Sequence, residues 1–234
     1  MNKNFAIPGA IVVAGFCVAF AIYFTGGGFS SVSTTNQLAT PQTNSNIAVR
    51  PVSATEHILG NPNATIKIID YSDTECPFCK QFHQTLKDIY TAYATSGKVA
   101  WVYRDFPIDI HTKARNEAEA LECASDLGGN TAFWKYLDEI FSVTPSDDGL
   151  DPKQLPIIAK EVGLDVTQFN SCLSSGKESA KVQADYQDAI NAGGQGSPYT
   201  VFVTPKGNIP NTDGAIPYDA VNNYIQIILS NVSS

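Results

Sequence analysis

Residues Thr65 to Cys79 read TIKIIDYSDTECPFC, and this stretch decides the fold. Ile66 and Ile68 alternate with Lys67, so the pattern predicts a strand over Thr65–Asp70, with Asp70 on the isoleucine face and its carboxyl partly buried. From Pro77 to Ala94 apolar residues recur at Phe78, Phe82, Leu86, Ile89 and Tyr93. That spacing is one face of a helix, and Gly97 ends it. Val99 to Tyr103 (VAWVY) reads as a second strand. A strand, a helix of about 18 residues and another strand form a βαβ unit with parallel strands.

Downstream the pattern turns helical. Lys113–Leu127 stops at Gly128-Gly129, and Thr131–Phe141 follows. Pro152–Val162 opens on a proline and stops at Gly163, Val166–Leu173 is short, and Lys177–Ala192 ends at Gly193-Gly194. Tyr199–Val203 (YTVFV) is then a strand, Pro205–Asn208 a turn before a further short strand, and Pro217–Leu229 a closing amphipathic helix. The order is βαβ, a helical block over about 112–192, then ββα. This is an α/β sheet with a helical insertion, in a domain over 56–232. Phe133, Trp134, Tyr136 and Phe141 stand at helical spacing and are expected to pack in the core.

Upstream, Phe5–Phe24 carries no charged residue and contains Cys17. About 20 residues at 1.5 Å each span a bilayer core of about 30 Å. Lys3 precedes the run and no basic residue follows until Arg50, which places the N-terminus in the cytoplasm and the rest outside. The first 25 residues are therefore read as a membrane anchor. A cleaved signal peptide, with a site at Ala19-Phe20-Ala21, is the competing reading. Residues 26–55 are rich in Gly, Ser, Thr, Asn and Pro and read as a flexible linker with a reach of roughly 30 Å.

The whole chain has 234 residues, 15 basic against 23 acidic, for a net charge of −8. With no Lys/Arg run, nucleic-acid binding is excluded as a general role. Outside the apolar run stand four cysteines, Cys76, Cys79, Cys123 and Cys172, which permits two disulfides in an oxidising compartment.

Cys76-Pro77-Phe78-Cys79 lies where the first strand meets the first long helix. Free N–H groups and the positive helix end point at Cys76, which lowers the pKa of a thiol there. Pro77 suits the first helical turn. Cys79 lies one turn deeper and can pair with Cys76 and be released when a thiolate attacks the exposed sulfur. Two other readings stand beside this one. A zinc site needs four ligands, and His83 with the two cysteines leaves the fourth missing. A static disulfide is the other. His83 on a helix flank and Glu75 beside Cys76 both read as exposed, and His111 as a loop residue without a role. Cys123 and Cys172 lie in separate predicted helices; pairing them would add about 4 kcal/mol in the loop-entropy model. They could also be free thiols or a second redox pair.

Ile58–Ala64 (ILGNPNA) and Ile68–Cys79 together resemble the opening of the DsbA-like thioredoxin-fold proteins, which include membrane-anchored bacterial thiol oxidases. The likeness continues through Tyr103–Pro107, Ala120–Ala124, Phe133-Trp134, Tyr136, Gly163–Asp165, Gly196-Ser197-Pro198 and Gly214–Tyr218. It covers roughly Glu56 to Leu229. The resemblance implies a thioredoxin fold with the helical insertion between its βαβ and ββα halves. It implies that Pro198 is a cis-proline facing the cysteines, with Ser197 offering backbone groups to an extended substrate beside Pro77 and Phe78. It implies that Asp70, six residues before Cys76, exchanges a proton with Cys79. It favours a structural Cys123–Cys172 disulfide. Strong oxidants of the family have histidine where Phe78 stands, which implies a weaker oxidant here.

The expected function is an extracytoplasmic, membrane-tethered thiol–disulfide oxidoreductase that oxidises protein thiols through Cys76 and Cys79, with no cofactor. Its partners would be secreted proteins with free thiols and a membrane protein that re-oxidises it. Two alternatives stand: a reductase or isomerase of the same fold, kept reduced by a membrane partner, or a non-catalytic peptide-binding, chaperone-like module. No dimerisation domain is visible, so a monomer is expected.

Overall fold

A computed structural model describes residues 47–211 and 214–232. The apolar run at residues 5–24, with Cys17, and residues 26–46 of the expected linker lie outside the described residues.

The elements are β1 (His57–Gly60), β2 (Ile66–Ser72), α1 (Pro77–Tyr93), β3 (Val99–Asp105), α2 (Ala114–Val143), α3 (Gln154–Glu161), α4 (Val166–Ser175), α5 (Ser179–Asn191), β4 (Tyr199–Thr204), β5 (Gly207–Asn211) and α6 (Tyr218–Val232). Among the described residues the strands form one sheet in the order β1-β3-β2-β4-β5. β2 and β3 are parallel, with Asp70 opposite Tyr103; the other neighbours are antiparallel. The βαβ half, the helical block and the ββα half follow in the expected order. β1 adds an edge strand that the sequence did not signal, because HILG is too short to show alternation.

Both sheet faces are covered. Ile66, Ile68, Val99, Trp101, Tyr103 and Phe202 pack on one side with α1, α6 and the insertion. Ile69, Tyr71, Val102 and Val201 pack on the other with Ala189 and Ala192. The alternation along β2 is the period of two that a strand imposes. α2 is kinked at Gly129, whose φ of 69° suits a residue without a Cβ. This is the Gly-Gly break expected between two helices. The Cys123–Cys172 disulfide, with Cα atoms 5.9 Å apart, ties α2 to α4.

Three readings of the sequence are corrected. On α1 the buried face is Cys79, Phe82, His83, Leu86, Ile89 and Tyr93, while Phe78 is 62% exposed. Cys76 occupies the N-cap, so the second helical residue turns outward and Cys79 begins the core face. His83 is therefore buried against Trp101 and Phe141, with Nε2 at 2.8 Å from Asp138 Oδ1. Burial pushes its pKa down, against the pull of Asp138. Finally, the last residues assigned to the linker are not free. Ile47, Val49 and Val52 pack on the second face of the sheet, and Arg50 binds Glu56 at 3.1 Å and Asp185 at 2.5 Å.

Arg50 joins a buried charged network beneath β2 and β3. The Arg104 guanidinium, fully buried, bonds Glu56 through Nε at 3.0 Å and Asp188 through Nη1 at 2.5 Å. It also donates to the Tyr71 hydroxyl at 3.2 Å and to the Arg50 carbonyl at 2.9 Å. Every face of the guanidinium fork that the fold presents has an acceptor, as a buried cation requires.

Candidate active site

The site forms where β2 ends and α1 begins. Cys76 is the N-cap of α1, with extended backbone (φ −80°, ψ 121°), and Pro77 opens the helix. The N–H groups of Phe78 and Cys79 stay free of helical acceptors and face the Cys76 sulfur. Both cysteines are free thiols. The Cys76 thiol is pulled down to about 6, first by a hydrogen bond from Cys79 and then by these backbone donors and the Ser197 side chain, against its partial burial. Cys79 is fully buried, and burial pushes its thiol well up, helped by the neighbouring Cys76 and Asp70. One thiol is thus set to be an anion near neutral pH and the other to hold its proton.

Ser197–Pro198 is a cis peptide bond. The Ser197 carbonyl accepts from Cys76 Sγ at 3.4 Å, and Pro198 is buried beside it. This loop leaves Cys76 only 4% exposed, less open than the sequence suggested. Pro77 and Phe78 remain exposed next to it. A groove of about 480 Å³, lined by Gln195, Gly196, Ser197, Pro198 and Tyr199, borders the same loop.

Asp70 is buried in mid-strand, and its Oδ1 has no hydrogen-bond partner among the described residues. Burial pushes its carboxyl up to about 8; the Trp101 indole opposes the shift, and the charge of Cys76 adds to it. An acid in this range can give or take a proton at neutral pH.

Glu75 corrects the sequence reading. It is fully buried, because a loop from the insertion closes over it. Its carboxylate accepts the N–H of Leu150 at 3.1 Å and of Gly149 at 3.2 Å, and its carbonyl accepts the N–H of Asp147 at 2.8 Å. Three successive residues of that loop, Ser146, Asp147 and Asp148, have φ of 67°, 54° and 61°. This left-handed turn costs backbone strain and aims the two N–H groups at Glu75. Glu117 on α2 meets the Glu75 carboxyl and accepts from Thr74 Oγ1 at 2.6 Å. Burial, then Glu75, pushes Glu117 up to about 8. The residues just before Cys76 are thus clamped to the insertion.

Sequence reasoning also passed over Asp73 and His111. His111 Nδ1 lies 3.0 Å from Asp73 Oδ2, and both residues are buried. The only hint was the polar run Ser72-Asp73-Thr74 immediately before the cysteine motif.

A cysteine held as an anion at a helix start, a buried thiol one turn on and a cis-proline loop above define a dithiol centre built for disulfide exchange. Comparison with known proteins agrees. Residues 52–226 match the family described as thioredoxin. DsbA2 of Pseudomonas aeruginosa superposes with a TM-score of 0.62 and 25% identity, over 76% of this chain and 96% of that one. Oxidised BdbD of Bacillus subtilis gives a TM-score of 0.66 at 21% identity, over 80% and 100%. The Na(+)/H(+) antiporter NhaA 3 of Salinispora tropica is 30% identical over 149 residues, which are 63% of this chain and 21% of the antiporter. The match spans about a fifth to a third of the length of the curated relatives. The chain belongs to the thioredoxin family, and its fold is the one that these DsbA-type structures share.

Proposed function

We propose that the protein is a membrane-tethered oxidase of extracytoplasmic protein thiols, acting as a monomer. The observation that carries this reading is the opposite tuning of Cys76 and Cys79. A stabilised Cys76 thiolate favours the dithiol form, and so makes the Cys76–Cys79 disulfide a better oxidant.

In the oxidising direction a substrate thiolate attacks Cys76 Sγ. The Cys76–Cys79 bond breaks, a mixed disulfide forms, and Cys79 leaves as a thiolate that takes a proton. Asp70 is the acid placed to supply it, since its charge and that of Cys79 interact. A second substrate thiolate then attacks the substrate sulfur of the mixed disulfide. The substrate leaves oxidised, and Cys76 leaves as the stabilised thiolate. The two electrons now on the dithiol pass to a membrane protein that restores the disulfide. Ser197 offers backbone groups to an extended substrate along the groove, and exposed Phe78 and Pro77 offer apolar contact. The lone Lys3 and the uncharged run behind it support the anchor and its orientation.

Equilibration with glutathione measures the potential. A value closer to about −120 mV than to about −270 mV is expected. A thioredoxin-like value would replace the oxidase by a reductase, and a protein that binds thiol peptides without any exchange would replace both by a binding module.

A further inference from the structure

Behind the cysteines lies a buried pair that the exchange steps do not use. Asp73 is tied to both cysteines through its backbone. Its N–H points at Cys79 Sγ at 3.4 Å, and its carbonyl accepts the Cys76 N–H at 3.2 Å. Its carboxylate accepts the N–H of Glu75 on Oδ1 and of Ile108 on Oδ2, each at 2.8 Å. Oδ2 also takes His111 Nδ1 at 3.0 Å. His111 comes from the loop between β3 and α2, and its side chain is 7% exposed. The acceptor at Nδ1 fixes the ring, leaving Nε2 to gain or lose a proton. The charged or titratable groups that act on the ring are Asp73 from the β2–α1 loop at 3.0 Å and Asp147 from the loop after α2 at 3.9 Å, with the charges of Cys76 at the start of α1 and of Asp148 adding to them. Burial lowers the pKa of the imidazole, but these groups raise it above its ordinary value.

We propose that His111, held by Asp73, is a positioning residue whose imidazolium stabilises the Cys76 thiolate and so sets the pH range over which the centre exchanges disulfides. This rests on the reading of Cys76 as the exchanging thiol. The interaction exists only in the dithiol form, because the disulfide carries no charge. It therefore shifts the redox equilibrium without adding a chemical step.

Linkage makes the effect reciprocal, and the wild-type protein itself reports it. With carbon-13 label in its three histidines, His57, His83 and His111, NMR follows each imidazole in both redox states. His111 should titrate at a higher pH in the dithiol than in the disulfide. In His111→Gln the Cys76 thiolate should titrate about one pKa unit higher, with up to about a tenfold loss of alkylation rate at pH 5. At pH 7 the glutathione equilibrium should move about fivefold toward the protein disulfide, which is about 20 mV. A His111 titration that is the same in both redox states, or an unchanged Cys76 titration in folded His111→Gln, overturns the assignment. A wild-type protein whose Cys76 and Cys79 form no exchangeable disulfide would instead defeat the reading of the site on which it rests.

Discussion

Cys79→Ser should turn the protein from a turnover catalyst into a trap. Given a disulfide-bonded substrate protein, the Cys76 thiolate still attacks and forms a mixed disulfide. No thiol stands beside it to break that bond, because serine does not attack sulfur at neutral pH. Covalent complexes should accumulate on non-reducing gels, and turnover should fall to the uncatalysed background. Cys76→Ser should give neither complexes nor turnover, since the remaining thiol is fully buried and holds its proton. Mass mapping of the complex should place the substrate on Cys76. Sustained turnover by Cys79→Ser, or complexes through Cys79 in Cys76→Ser, would reverse the assigned roles.

Arg104→Met should give the largest loss of stability. The substitution keeps much of the side chain's volume, but it leaves Glu56 and Asp188 without the cation that neutralises them. It also removes the donors to Tyr71 and to the Arg50 carbonyl. Breaking one side of a buried ion pair costs about 3–5 kcal/mol, a large part of the roughly 5–15 kcal/mol that holds a domain together. Arg50 is only a partial substitute, because it reaches Glu56 from a half-exposed position. Urea unfolding should show a lower midpoint with an unchanged slope. A midpoint equivalent to within about 1 kcal/mol of wild type would mean that the network breaks even against its desolvation.

How far the fold was legible follows from the range of the forces involved. Ile66, Ile68 and Asp70 announce their strand and its buried face because side chains alternate locally. The position of Cys76 at a helix start needed only Pro77 and the apolar run behind it. Gly196-Ser197-Pro198 was legible as the cis-proline loop through resemblance more than through physics. Phe78 and His83 were exchanged between core and surface because both flank the apolar face of the helix, and which flank is covered is decided by Trp101, Phe141 and Asp138 on other elements. Glu75 was misread for a deeper reason. An acid beside a reactive cysteine looks exposed until a loop some 70 positions later brings it two N–H groups. Asp73 with His111, and Arg104 with Glu56 and Asp188, are equally nonlocal. Their partners lie 38, 48 and 84 positions apart. No pattern in a window of neighbouring residues records such contacts.

All of this depends on how two neighbouring sulfurs share their protons. The direct measurement is the ultraviolet titration of thiolate in the reduced protein, with alkylation at each pH mapped to individual cysteines. One thiol should ionise at about pH 6 and map to Cys76, while Cys79 stays unlabelled through neutral pH. A first ionisation near the ordinary 8.5 of a free cysteine, or a Cys76 that no reagent reaches in the folded protein, would contradict the account.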